Sequence, residues 1–155
     1  KDQGPAWKSE MGWRSRKNED RQLILVDSSV WIDYVNGNRT RQTDLLDHCL
    51  SSIPIIMGDL ILTEVLQGFR SDKDYQTAKS FLGSLPFHHI GGYDAAIQSA
   101  QIYRSLRKKG FTVRKTIVLI IAGYCIVEGV ILLHDDRDFI PIADHFPLKT
   151  AESNI

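Results

Sequence analysis

A chain of 155 residues with 43% hydrophobic and 25% charged side chains has the composition of one ordinary globular domain, not a fibre or a disordered tail. Nineteen Lys/Arg balance nineteen Asp/Glu, so no global field draws the molecule to nucleic acid, and any such contact must rest on a local basic strip. Cys49 and Cys125 lie far apart with no CxxC or Cys/His spacing, which argues against a zinc site or a disulfide framework.

Residues 1–22 show no clear period and carry six basic and four acidic side chains. They read as a mobile leader or an expression remnant, with residues 23–155 as the domain. Trp7 and Trp13 could instead pack on the domain or a partner. No apolar signal-peptide core is present there. The longest apolar run, from Ile117 to Val127, is too short for a bilayer span, so the expected address is the cytoplasm with no membrane contact.

Leu23-Ile24-Leu25-Val26 is a continuous apolar run of the kind found in strands buried on both faces of a parallel sheet. It ends in Asp27-Ser28-Ser29, where either serine can cap a helix carrying Val30, Trp31, Tyr34 and Val35. Ligands of open α/β sheets bind at the carboxyl ends of strands. Asp27 is therefore either a metal or phosphate-chemistry residue or a carboxylate bracing a turn.

A short helix is expected over Thr43 to Leu50, then a strand at Ile53 to Met57. Asp59 is placed to cap a helix running through Leu60, Leu62, Val65, Leu66 and Phe69. Glu64 lies in this apolar segment, either as a site residue or as a solvated helix position. Lys73 to Leu82 forms a further helix, and Leu85 to Ile90 a third strand. A long helix starts at Asp94, which suits its N-cap, and closes in Arg107-Lys108-Lys109-Gly110, cations and then glycine. Thr116 can cap a nearly all-apolar helix to Glu128, and Val130 to His134 is the fourth strand, delivering Asp135, Asp136 and Asp138 to a loop.

Strands alternating with helices give an α/β fold, a three-layer α/β/α sandwich around a parallel sheet of four or five strands. Two strands end in carboxylates, and if both are central those acids meet. Clustered carboxylates repel and need protonation, cationic partners or a divalent ion; Mg²⁺ or Mn²⁺ suits an all-oxygen set and phosphodiester cleavage. Arg104, Arg107, Lys108, Lys109, Arg114 and Lys115 form the dense basic cluster outside the leader, read as an RNA-phosphate strip or as a solvated helix end. His88, His89, His134 and His145 are scattered and form no metal or acid–base pair in the sequence.

The ordered blocks Val26 to Tyr34, Leu62 to Phe69, Arg114-Lys115-Thr116-Ile117 and Leu133 to Phe139 resemble the PIN-domain ribonucleases, in particular the VapC toxins of toxin–antitoxin pairs. The likeness covers residues 23 to 150. It implies a metal-dependent endoribonuclease in which Asp27, Glu64 and Asp136 hold Mg²⁺ or Mn²⁺, with Asp138 as helper or alternative. Ser28 would bond metal-bound water or the scissile phosphate, and Arg107, Lys108, Arg114 and Lys115 would hold RNA. It also implies a homodimer held inactive by a VapB antitoxin, with Trp31, Tyr34, Leu45, Leu46, Leu60 and Phe69 as candidates for the partner groove, although for each of them core packing is the stronger reading.

One position departs from the family pattern. Where relatives carry an aspartate two residues after the threonine of Arg-Lys-Thr-Ile, this chain has Val118. Leu119, Ile120 and Ile121 cannot ligate a cation, and Glu128 is nearly three turns away. The resemblance thus implies a ribonuclease with weakened or lost activity. The rival reading is a catalytically silent PIN-fold module that binds RNA or antitoxin. A phosphohydrolase with Asp27 as nucleophile fits less well, because Ser29 stands where such enzymes need an acid.

Overall fold

The structure is a computed structural model describing residues 22–151. The expected leader therefore lies outside the described residues except for Gln22. Four parallel strands form the sheet: β1 (Ile24–Val26), β2 (Ile55–Gly58), β3 (Phe87–His88) and β4 (Ile131–Leu133). Their order is β3-β2-β1-β4. Ile24 pairs with Ile55 on one side and with Ile131 on the other, so β1 is central. All three of its residues are buried, as an uninterrupted apolar run requires when both faces are covered. Thr150 adds an isolated parallel bridge to Leu132 outside β4, a contact the sequence did not announce.

Seven α-helices connect and cover the strands: α1 (Ser28–Val35), α2 (Arg41–Leu50), α3 (Asp59–Leu66), α4 (Asp72–Gly83), α5 (Tyr93–Lys108), α6 (Thr116–Glu128) and α7 (Ile140–His145). The helices pack in two groups, α1 with α2 and α3 and α3 with α4, then α5 with α6 and α7. From β1 the chain winds outward through β2 to β3, then returns across the sheet to β4. Right-handed crossovers in opposite directions put the two groups on opposite faces. The expected three layers result, with four strands.

Several helix starts differ from expectation. Asp27, not Ser28 or Ser29, caps α1, accepting a hydrogen bond from the Ser29 N–H. α2 begins earlier, at Arg41, because Thr40 and Thr43 form a reciprocal capping box. Asp59 is the first residue of α3, and the cap position is Gly58. The Asp59 Oδ1 is used instead to hold the Leu60 and Ile90 N–H groups, each at 2.9 Å. Asp94 and Thr116 likewise lie inside their helices, behind Gly92 and Lys115. The short 3₁₀ turn Arg137–Phe139 and α7 had no periodic signal, being too brief to show one.

The helix α6 is apolar all round because it is buried all round: Val118, Leu119, Ile121, Ala122, Cys125 and Ile126 are all inside. A Cβ at Gly123 would stand 3.0 Å from Ser99 Oγ and 3.3 Å from the Ala95 carbonyl, so glycine lets α5 and α6 touch. Ser99 Oγ also donates to the Leu119 carbonyl at 3.0 Å. Residue 95 facing 123 and 99 facing 119 make the two helices antiparallel. The basic end of α5 therefore lies beyond the start of α6, beside the loop carrying Arg114 and Lys115.

Candidate active site

The chain reverses its winding between β1 and β4, and the crevice outside their carboxyl ends is where such sheets bind ligands. Asp27 leaves β1 there, with its N–H bonded to the Leu133 carbonyl of β4 at 2.9 Å. It is only 4% exposed. Its Oδ2 accepts from the Ser29 hydroxyl at 2.6 Å and from the Ser29 N–H at 3.1 Å. Burial nonetheless pushes its pKa above the usual carboxylate value, the two Ser29 bonds offset that only in part, and the nearby charge of Asp136 adds to the rise.

Glu64 comes from α3 on the neighbouring crossover. Ser28 Oγ donates to its Oε1 at 3.1 Å. Its pKa is also raised, first by burial and then by the charge of Asp27, while Ser28 and the Lys115 ammonium pull the other way. Asp136 follows β4 and caps the 3₁₀ turn, its Oδ1 accepting from the Asp138 N–H at 3.0 Å. Lys115 Nζ donates to Asp136 Oδ2 at 3.0 Å. Partial burial pushes Asp136 up, but the Asp138 N–H and Lys115 together outweigh it and leave its pKa below the ordinary value.

Each of the three carboxylates lies in the field of the other two, so the structure brings Asp27, Glu64 and Asp136 together from three separate elements. Asp138 reaches the cluster through its backbone N–H on Asp136, and its carboxylate also acts on Lys115. Among the described residues, however, no three Asp, Glu, His or Cys side chains stand grouped so as to hold one metal ion. The oxygen donors suit Mg²⁺ or Mn²⁺ in kind and sign. As placed, Ser29, Ser28 and Lys115 each occupy one acid, so shared ligation requires side-chain rotation. The donor set fits a hard divalent ion on those terms.

Val118 is 3% exposed in the first turn of α6, three residues after Lys115, and its N–H bonds to the Lys115 carbonyl. It offers no ligand. Arg107 and Lys108 occupy the last turn of α5, with the Arg107 guanidinium 5.5 Å from the Tyr103 ring centroid. Arg104 and Arg114 line a hollow of about 620 Å³ with Tyr103, Thr116 and Ile120. Of the basic residues expected to bind phosphate, Lys115 is set on a carboxylate, that of Asp136.

Ser29 is the residue whose role the sequence concealed. Besides holding Asp27, its Oγ accepts from the Asp135 N–H at 3.1 Å, tying the β1 and β4 exits together. A second hydroxyl directly after the strand-ending aspartate was the available signal. Ser28, expected on water or phosphate, donates to Glu64. Trp31 and Leu46, weighed as partner-groove or core residues, are wholly buried core. Tyr34 and Phe69 do line a surface groove with Arg70 and Phe81.

A parallel α/β domain with acids gathered at its switch point defines a PIN-like class of protein. No family model matches the chain. It is, however, 30% identical over 131 residues to VapC ribonuclease Mb1587 of Mycobacterium bovis and to ribonuclease VapC11 of Mycobacterium tuberculosis, covering 83% of this chain and 98% of each relative. The chain belongs to the VapC family of PIN-domain ribonucleases. Among solved structures, VapBC2 from Rickettsia felis bound to a promoter DNA fragment is similar with a TM-score of 0.66 at 16% identity, covering 83% of this chain and 97% of that one. The sarcin–ricin-loop-cleaving toxin VapC20 of M. tuberculosis has a TM-score of 0.57 at 17% identity, with 79% and 95% covered. These two likenesses show the fold.

Proposed function

We propose that this chain is a Mg²⁺- or Mn²⁺-dependent endoribonuclease toxin of a VapBC-type pair, with activity weakened by Val118. The observation that carries this reading is the meeting of Asp27, Glu64 and Asp136 at the β1/β4 switch point, since such mutual repulsion is most simply offset by a cation. A bound ion would activate water and stabilise the leaving oxygen of the phosphodiester. Asp27, Glu64 and Asp136 would hold it, with Asp138 in reserve. Ser28 and Ser29 orient the acids, and burial of Asp27 keeps bulk water from competing for its oxygens. Arg107, Lys108 and Arg114 would hold RNA phosphates, joined by Lys115 once Asp136 releases it.

A VapB-type antitoxin and a homodimer are the partners we propose, in the cytoplasm. Support for the antitoxin comes from relatives solved as VapBC assemblies. The exposed Tyr93 and Ile97 on α5 give a second copy an apolar face to meet. No described helix is long and apolar enough to cross a membrane.

RNA cleavage assayed in Mn²⁺ and in EDTA tests the reading. Cleavage that needs the metal and disappears in Asp27→Asn supports it. The second reading, a module that binds without cutting, is favoured by the buried Val118 and the lack of a ready three-acid group among the described residues. RNA or antitoxin binding that persists in EDTA and in Asp27→Asn, without cleavage, would select it.

A further inference from the structure

We infer that Lys115 is a tethered counter-ion of the acid pocket, occupying Asp136 so that a divalent cation must displace its ammonium to use that carboxylate. This rests on the reading of the pocket as a metal site. Three observations carry it. Lys115 Nζ lies 3.0 Å from Asp136 Oδ2, within reach of a direct charge-assisted bond. The same ammonium acts on Asp27, Glu64 and Asp138, so it sits among the pocket's carboxylates and not on a remote rim. Lys115 is also the N-cap residue of the helix whose first turn carries Val118, where the family pattern has an acid, and its backbone carbonyl accepts from the Val118 N–H. The pocket has one carboxylate fewer than that pattern, and a cation of its own stands on one of those that remain.

The arrangement is a contest between two kinds of positive charge. The lysine side chain is 59% exposed and flexible, so it can leave Asp136 without disturbing the core. A departing ammonium would swing outward beside Arg114, towards the basic end of α5. Holding the acids and meeting a phosphate are then alternate positions of one side chain.

Direct Mn²⁺ titration by calorimetry, with melting temperatures in EDTA, tests this on the wild-type chain, Lys115→Met, Lys115→Arg and the surface control Lys79→Met. Lys115→Met should bind Mn²⁺ about two- to fivefold tighter, the range expected when a partly exposed ion pair no longer competes. It should also melt lower than wild type in EDTA and lose that deficit in excess Mn²⁺. Lys115→Arg should keep the wild-type affinity, and Lys79→Met should change it less than twofold. Unchanged or weaker Mn²⁺ binding in Lys115→Met, or an equal gain in Lys79→Met, overturns the inference while leaving the metal site standing. Mn²⁺ binding that survives in Asp27→Asn overturns the site itself, and no binding by any variant overturns both.

Discussion

Asp27 and Asp136 are the same residue type at the ends of adjacent parallel strands, yet the pocket treats them in opposite ways. Asp27 is almost fully buried and takes its hydrogen bonds from neutral groups of Ser29, and its pKa rises. Asp136 is less enclosed, has an N–H and an ammonium, and its pKa falls. Two hydrogen bonds from a serine do not offset the desolvation of a buried carboxylate; one cation with one N–H does so at a half-open position. The site is thus polarised, with a proton-hungry side at β1 and a charge-satisfied side at β4.

The largest effect should come from placing an acid at the buried valine in the first turn of α6. Val118→Asp is expected to raise Mn²⁺-dependent RNA cleavage at least about tenfold and to make expression toxic, as restoring a shell of metal contacts commonly does. In EDTA the same change should cost roughly 2–4 kcal/mol of stability, because it buries a carboxylate without a partner. Unchanged cleavage would remove position 118 from the chemistry.

Next in size is Ser29→Ala, which strips the hydroxyl from Asp27 and the acceptor from the Asp135 N–H. We expect a loss of about 1–3 kcal/mol by chemical denaturation. A loss under half a kcal/mol would mean that the two strand exits hold together without this link.

Neutralising each acid in turn separates the two sides most directly. In EDTA at pH 7, Asp27→Asn should raise the melting temperature by about 3 °C, the response of a domain of this size to roughly 1 kcal/mol, whereas Asp136→Asn should lower it by a similar amount. Equal signs would end the distinction between the sides.

The smallest effect is in pH. Raised pKa values at Asp27 and Glu64 favour their protonated forms in the fold, so that their contribution is complete below their ordinary values of 3.8 and 4.5 and is lost as pH rises through the elevated ones. The depressed value at Asp136 contributes above 3.8 and is lost as pH falls through it. Metal-free wild-type protein should therefore lose stability on going from mildly acidic to neutral pH, and Asp27→Asn should flatten that slope. Thermal melts at a series of pH values measure both.

Much of this architecture was legible in the chain. Apolar runs gave β1, β2 and β4, the mixed stretch Leu85 to Ile90 gave β3, and the unbroken run at Leu23 to Val26 signalled a strand covered on both faces, which needs no polar alternation. The order of Asp27, Glu64 and Asp136 along the chain carried the family likeness. Capping was less readable. Asp, Ser and Thr cluster at helix starts, and which oxygen takes the N–H depends on what else competes for it: Asp59 was drawn to Ile90, and Asp27 displaced both serines. The Lys115–Asp136 pair was hidden for a different reason. Twenty-one residues separate its members, and sequence offers no period for a contact made by folding alone.

The close seam at Gly123 and Ser99 holds α5 and α6 together as one packed pair. At one end of it sit the arginines and lysines expected to grip a strand of RNA, and at the other side of the short loop sits the ammonium resting on Asp136. The basic last turn of α5 and Lys115 are thereby held at the same end of the paired helices. The seam that lets the two helices touch thus also keeps the basic turn and the acid pocket neighbours.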